Sequence, residues 1–259
     1  MKKIDAHMHV NGGGQDFGCP VDAVIDAADR LEIDQLVCSI PITGGRWATP
    51  AEVRECNDGL LEAMHRYPKR ILSYCFLNPG YGREALQELE RCVLGEGMVG
   101  IKLYNQYKIN DPVLFPLIER TIELGVPILV HAARLVAAAD IAAQPLTSHA
   151  GDFVDIGRRY PEAMIIHGHI AGGGDWQWTL KVLRDAPQSI YLDTSGSVMD
   201  NGLLERCVRD FGADRLLFGT DMTMEGNVAR VRDAQITDAQ REKIFFRNFK
   251  ALLARRRAG

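Results

Sequence analysis

The strongest constraint on this chain is an eightfold alternation of short apolar runs with longer polar, amphipathic stretches. The runs are Ile4–Val10, Gln35–Pro41, Ile71–Pro79, Met98–Tyr104, Pro127–Ala133, Met164–Ile170, Ile190–Ser195 and Arg215–Asp221. Most are rich in Ile, Val and Leu, as expected for strands covered on both faces. The stretches between them read as helices: Val21–Leu31, a segment opened by Thr49-Pro50-Ala51-Glu52, Arg83–Val93, Pro112–Leu124, Ser148–Tyr160, Asp175–Arg184 and Gly202–Phe211. Thr49 with Glu52 has the form of a capping box, with Pro50 at the first helical position. A last helix is predicted over Asp238–Ala254, capped by Thr237 with Gln240 three residues on, while Gly97, Gly125 and Gly212 stand where helices should stop.

Strand-then-helix units repeated eight times in 259 residues favour a closed (β/α)8 TIM barrel formed as one domain over residues 1–259. An open doubly wound sheet is the alternative. It calls for a glycine-rich phosphate turn after the first strand, and Asn11-Gly12-Gly13-Gly14 lacks that spacing. Arg134–Thr147 is the longest connection and a candidate lid. The chain has 46% hydrophobic and 25% charged residues and a net charge of −4, with its charges dispersed, which disfavours nucleic acid as a partner. No apolar run approaches the ~20 residues that span a bilayer. The first residues do not read as a leader peptide, and six cysteines without a CxxC pair read as reduced thiols, so a cytoplasmic location is expected. Arg255-Arg256-Arg257 reads as a solvated helix end.

Five of the seven histidines fall on predicted strands. His7 and His9 are two apart, so both should project to one side of the first strand. His131, His169 and Asp221 end the fifth, sixth and eighth runs. In a barrel all strands end at one face, so these side chains should converge there. Several imidazoles with a carboxylate suit zinc or a similar divalent ion. His167 is expected to face inward one pleat deeper as a hydrogen-bonded core group, His65 to be solvated, and His149 to be a surface or capping residue.

An ordered set of motifs then resembles the amidohydrolase superfamily, specifically its amidohydrolase-2 group, related to aminocarboxymuconate semialdehyde decarboxylase. The set comprises Ile4-Asp5-Ala6-His7-Met8-His9, Gly100-Ile101-Lys102-Leu103, Val130-His131, Gly168-His169 with Gly172-Gly173, Tyr191-Leu192-Asp193-Thr194-Ser195-Gly196 and Leu217-Phe218-Gly219-Thr220-Asp221. The resemblance implies that His7, His9, His131 and Asp221 hold one divalent metal ion, zinc first and manganese as an option. It also implies catalytic roles for His169 and Asp221 beside a metal-activated water. Lys102 is expected as a cation at the cavity wall, with carboxylation to bridge two ions, or pairing with Asp5 or Asp193, as alternatives. Arg134, Arg46 and Tyr104 are candidate substrate contacts. The two arginines suggest a carboxylated substrate. At most one of Trp176 and Trp178 should face inward, and Asp193 and Ser195 should support the metal ligands.

The leading functional expectation is a metal-dependent hydrolase of a small carboxylated ester, lactone or amide. A non-oxidative decarboxylase of an aromatic or unsaturated carboxylic acid on the same site is the first alternative, and a catalytically silent binding barrel the second. The expected partner is a small-molecule substrate, with self-association into a homo-oligomer an option.

Overall fold

The computed structural model describes residues 1–170, 172, 174–198 and 200–257. Gly173, part of one quoted motif, lies outside them. Eight parallel strands run in chain order around one sheet: β1 (Ile4–His9), β2 (Gln35–Ser39), β3 (Ile71–Phe76), β4 (Gly100–Leu103), β5 (Ile128–Val130), β6 (Ile165–His167), β7 (Ile190–Asp193) and β8 (Leu216–Leu217). Backbone bonds from Ala6 N–H to the Phe218 carbonyl (2.8 Å) and from Asp221 N–H to the His7 carbonyl (2.7 Å) join the last strand to the first. The expected (β/α)8 barrel is therefore what the chain forms.

The helices are α1 (Val21–Arg30), α2 (Pro50–Arg66), α3 (Arg83–Glu90), α4 (Phe115–Leu124), α5 (Ala138–Ala143), α6 (Ala150–Arg159), α7 (Trp176–Leu183), α8 (Leu203–Phe211), α9 (Met224–Arg232), α10 (Asp238–Glu242) and α11 (Asn248–Leu253). Both expected capping boxes form, on Thr49 with Glu52 and on Thr237 with Gln240. A wider turn over Lys243–Arg247 joins α10 to α11, so the predicted final helix is continuous. α9 is not among the expected helices, because its apolar residues do not form a clear stripe, and α5 lies inside the 134–147 connection expected as loop.

The core has two compartments. One lies between strands and helices. The other fills the barrel where the strands begin: Ile4, Tyr74, Leu129 and Ile166 meet Phe249 and Leu252 of α11. Tyr74 packs edge-on against Phe249 and donates its hydroxyl to the Ala6 carbonyl at 3.1 Å. This end is closed by side chains, so the polar strand ends at the opposite mouth are left for chemistry. Among the described residues, no helix is long and apolar enough to cross a membrane.

Phe249 is fully buried. Phe249→Ala should therefore lower unfolding free energy by ~3–5 kcal/mol in urea titration. A loss under ~1 kcal/mol would mean that α11 is not part of the barrel core.

Candidate metal centre and its cavity

The centre begins with a defect in β1. Its pairing with β2 runs Asp5↔Leu36 and then Met8↔Cys38, so Ala6 and His7 together oppose one residue. Such a bulge re-aims side chains next to a site. Ala6 joins the barrel-filling cluster, while Met8 packs on the helix side. The bulge is pinned by Asp5, whose carboxylate accepts from His7 N–H (3.0 Å), Thr220 N–H (3.0 Å) and the Thr220 hydroxyl (2.5 Å). Burial pushes the Asp5 carboxyl up to about 7 against these hydrogen bonds. Asp5 thereby ties the first strand to the residue before Asp221. It does so in place of the Asp5–Lys102 pairing considered from sequence.

Behind the metal-facing edge sits Asp193, fully buried. It accepts from His7 Nδ1 (2.8 Å), His169 N–H (3.2 Å), Ser195 N–H (2.8 Å) and Ser195 Oγ (2.5 Å). Burial opposes its charge, but the His7 imidazole and these donors hold its carboxyl well below the usual carboxylate range. An ionised Asp193 requires a proton on His7 Nδ1, which leaves the His7 Nε2 lone pair pointing forward. His9 is set the same way. Its Nδ1 lies 3.3 Å from the Ser39 carbonyl and 2.9 Å from Ser39 Oγ. A carbonyl can only accept, so Nδ1 carries the proton.

His7 Nε2 and His9 Nε2 are 3.2 Å apart, and Asp221 Oδ1 lies 3.7 Å and 3.2 Å from them. Burial keeps both imidazoles neutral, taking His7 down to about 3 and His9 downward as well. Burial also opposes the charge of Asp221, yet the imidazoles of His169 and His7 hold its carboxyl far below the ordinary range. Two neutral imidazole lone pairs and a carboxylate therefore face one point. Nitrogen and oxygen ligands ~2.0–2.2 Å from one tetrahedral ion stand roughly 3.3–3.6 Å from each other, so the three groups fit a divalent cation. The fourth expected ligand stands slightly aside. His131 Nδ1 meets His169 Nε2 at 3.1 Å, and its ring stacks on Tyr104 with centroids 4.2 Å apart. Lys102 is fully buried, with Nζ 2.9 Å from His7 Nε2. Burial lowers its ammonium to about 8 against the pull of Asp221 and Asp193.

His169 joins the two halves of the site. Its Nδ1 lies 3.1 Å from Asp221 Oδ2 and 3.1 Å from Ser195 Oγ. His169, Asp221 and Met222 adopt left-handed backbone conformations (φ 61°, 46° and 68°). Non-glycine residues seldom adopt these, and they cluster where a site dictates them. Gly219 permits close approach nearby: a Cβ there would sit a tight 3.1 Å from His7 Cβ and 3.3 Å from Asp193 Cβ.

A cavity of about 360 Å³ opens onto His131, His169 and Asp221 and continues past Asp140, Gln144 and Thr223. Arg46 and Arg134 do not line it. The Arg46 guanidinium is held by Glu52 at 2.8 Å, and that of Arg134 lies over Trp178 at 4.8 Å. Trp176 donates to Asp200 (2.7 Å). His149 caps α6, its Nδ1 accepting from Gly151 N–H. His65 is exposed.

His167 departs from expectation. β6 ends there and His169 has a left-handed backbone, so two-residue alternation does not carry across Gly168. Ile166 faces the barrel interior, and His167 instead points outward to Phe153 of α6, with ring centroids 4.5 Å apart. Neither ring nitrogen has a hydrogen-bond partner among the described residues.

Eight strands with imidazoles and carboxylates gathered at their carboxyl ends define a barrel-enzyme architecture. Residues 4–254 match the family model described as Amidohydrolase, and the chain belongs to that family. It is 30% identical to 2-amino-3-carboxymuconate-6-semialdehyde decarboxylase of Dictyostelium discoideum, over 42% of this chain and 33% of that protein. It is 27% identical to gamma-resorcylate decarboxylase of Polaromonas sp. JS666, over 77% of this chain and 75% of that one. A crystal structure of dihydroxybenzoic acid decarboxylase from Polaromonas sp. JS666, with bound manganese and 2-nitroresorcinol, superposes with a TM-score of 0.72. It shares 20% identity, over 98% of this chain and 96% of that one.

Burial lowers His167 to about 4 from 6.5. The unfolded chain thus binds a proton that the folded protein refuses, and stability present above pH 6.5 is lost as pH falls towards 4. His167→Leu should flatten the stability–pH curve between those values, by roughly 3 kcal/mol at the acid end. The check is urea unfolding at several pH values, and an unchanged slope would contradict the assignment.

Proposed function

We propose that the protein is a non-oxidative decarboxylase of a small aromatic or unsaturated carboxylic acid, dependent on one divalent metal ion. The observation that carries this reading is the similarity to gamma-resorcylate decarboxylase across three quarters of both chains. It favours the decarboxylase alternative over the hydrolase expectation, since both curated relatives described above are decarboxylases. Residues His7, His9 and Asp221 would hold the ion, with His131 as a further imidazole. Manganese and zinc both suit this nitrogen and oxygen set. When bound, the ion would neutralise the anionic oxygens of the substrate and orient its carboxylate.

The chain's own groups account for the proton balance. Decarboxylation breaks the carbon–carboxylate bond, releases carbon dioxide and places a proton on the carbon left behind. His169 Nδ1 and Asp221 Oδ2 lie 3.1 Å apart on the cavity lining, within reach for a proton to pass between imidazole and carboxylate. That pair is the group best placed to deliver it. Ser195 keeps the His169 ring in position, and the buried Lys102 ammonium offsets negative charge that develops near His7.

The test is carbon dioxide release from a panel of hydroxybenzoic acids by the manganese- or zinc-loaded protein. Asp221→Asn and His169→Ala should each lower kcat by ~10²–10⁴-fold. Chelation should abolish turnover, and refilling with metal should restore it. Opening of lactones without carbon dioxide release from any acid would overturn the reading in favour of hydrolysis.

A further inference from the structure

The outer half of the cavity carries an electrostatic pattern that the metal centre does not explain. Its described lining includes Asp140, Gln144, Ser197 and Thr223 alongside Ala132, Ala133 and Leu135, and none of the described lining residues is Arg or Lys. The two arginines that flank this mouth in sequence are engaged elsewhere, one on Glu52 and one on Trp178. Lys102 is fully buried behind His7, so its charge serves the inner end. A substrate entering here meets a carboxylate and neutral polar groups, with no cation to match a second anionic substituent.

Asp140 is held in place by local geometry. It lies in α5, and Gln144 N–H donates to the Asp140 carbonyl at 2.9 Å, which closes the helix's final turn. Residues four apart share a helix face, and both Asp140 and Gln144 line the cavity. Gln144 is anchored in turn: its side-chain carbonyl accepts from Nδ2 of Asn105, a buried residue just beyond β4, at 2.8 Å. No hydrogen bond or ion pair engages the Asp140 carboxylate among the described residues. It is therefore available to a ligand.

We propose that Asp140 is the specificity-determining residue of this site. It would select monocarboxylic acids that present a hydrogen-bond-donating substituent, hydroxyl or amino, to the outer cavity, and reject those presenting a second carboxylate. A carboxylate accepts strongly from such a donor. The same carboxylate repels a second anion in a cavity without a compensating cation, so one residue supplies both the attraction and the discrimination. The proposal rests on the reading of the substrate as a carboxylic acid and deepens it.

The experiment compares 3-hydroxybenzoate with benzene-1,3-dicarboxylate, two acids of one skeleton, by calorimetric titration of the manganese-loaded protein. Wild type should bind the hydroxy acid at least ~10-fold more tightly than the dicarboxylate. Asp140→Asn should shrink that ratio, and Asp140→Arg should invert it in favour of the dicarboxylate. Circular dichroism spectra of all three proteins should superpose, because Asp140 is exposed and α5 buries no residue. The same ratio in all three proteins would overturn the proposal, as would equal binding of both acids by wild type or binding of neither. Carbon dioxide release is scored separately. Its absence from an acid that binds with the expected preference would sink the decarboxylase reading and leave the role of Asp140 standing.

Discussion

One buried carboxylate organises this protein's chemistry. Asp193 lies in the barrel without solvent contact, and the cost of burying its charge is offset by four donors drawn from β1 and from the segments just after β6 and β7. Because His7 must donate to it, the tautomer of His7 is fixed and its other nitrogen is kept as a lone pair. Because the His169 backbone N–H and Ser195 also donate to it, the His169 imidazole is held beside Asp221. Replacing Asp193 by a neutral group would therefore disturb both the candidate cation site and the His169–Asp221 pair, although Asp193 stands behind the three groups that converge there.

The architecture was readable from the chain because its signals are local. Eight apolar runs, separated by segments with helical spacing, two of them opened by capping boxes, leave few arrangements open, and the chain takes the one that closes. Parts of the site were readable for the same reason. Residues that end parallel strands share a mouth, so His7, His9, His169 and Asp221 meet as their positions imply. Asp193 and Ser195, expected beside these groups, hydrogen-bond to His7 and His169.

What was not readable depends on departures from regularity. Alternation assigned His167 to the interior, but the left-handed turn at His169 cancels the parity argument, and the ring packs on Phe153. The bulge at Ala6–His7 follows from Asp5 binding Thr220, a partner 215 residues away that no local pattern exposes. Arg46 and Arg134 sit in loops above the barrel as expected, yet nearby Glu52 and Trp178 capture them. Loop position says where a side chain starts, and competition among its neighbours decides where it ends.

The seam between β8 and β1 also bears on how the protein is made. His7 lies on the first strand of the barrel and Asp221 just after the last, and the clamp from Asp5 to Thr220 bridges 215 residues of sequence. Contacts so distant in sequence form late, because the chain must lose the entropy of closing a very large loop before they repay it. A nascent chain still lacking its eighth strand can fold many of its β/α units but has no third ligand and no clamp on the bulge. With His7, His9 and Asp221 as the ligand set, metal would be acquired only after ring closure, and occupancy of the centre would report that the barrel has closed.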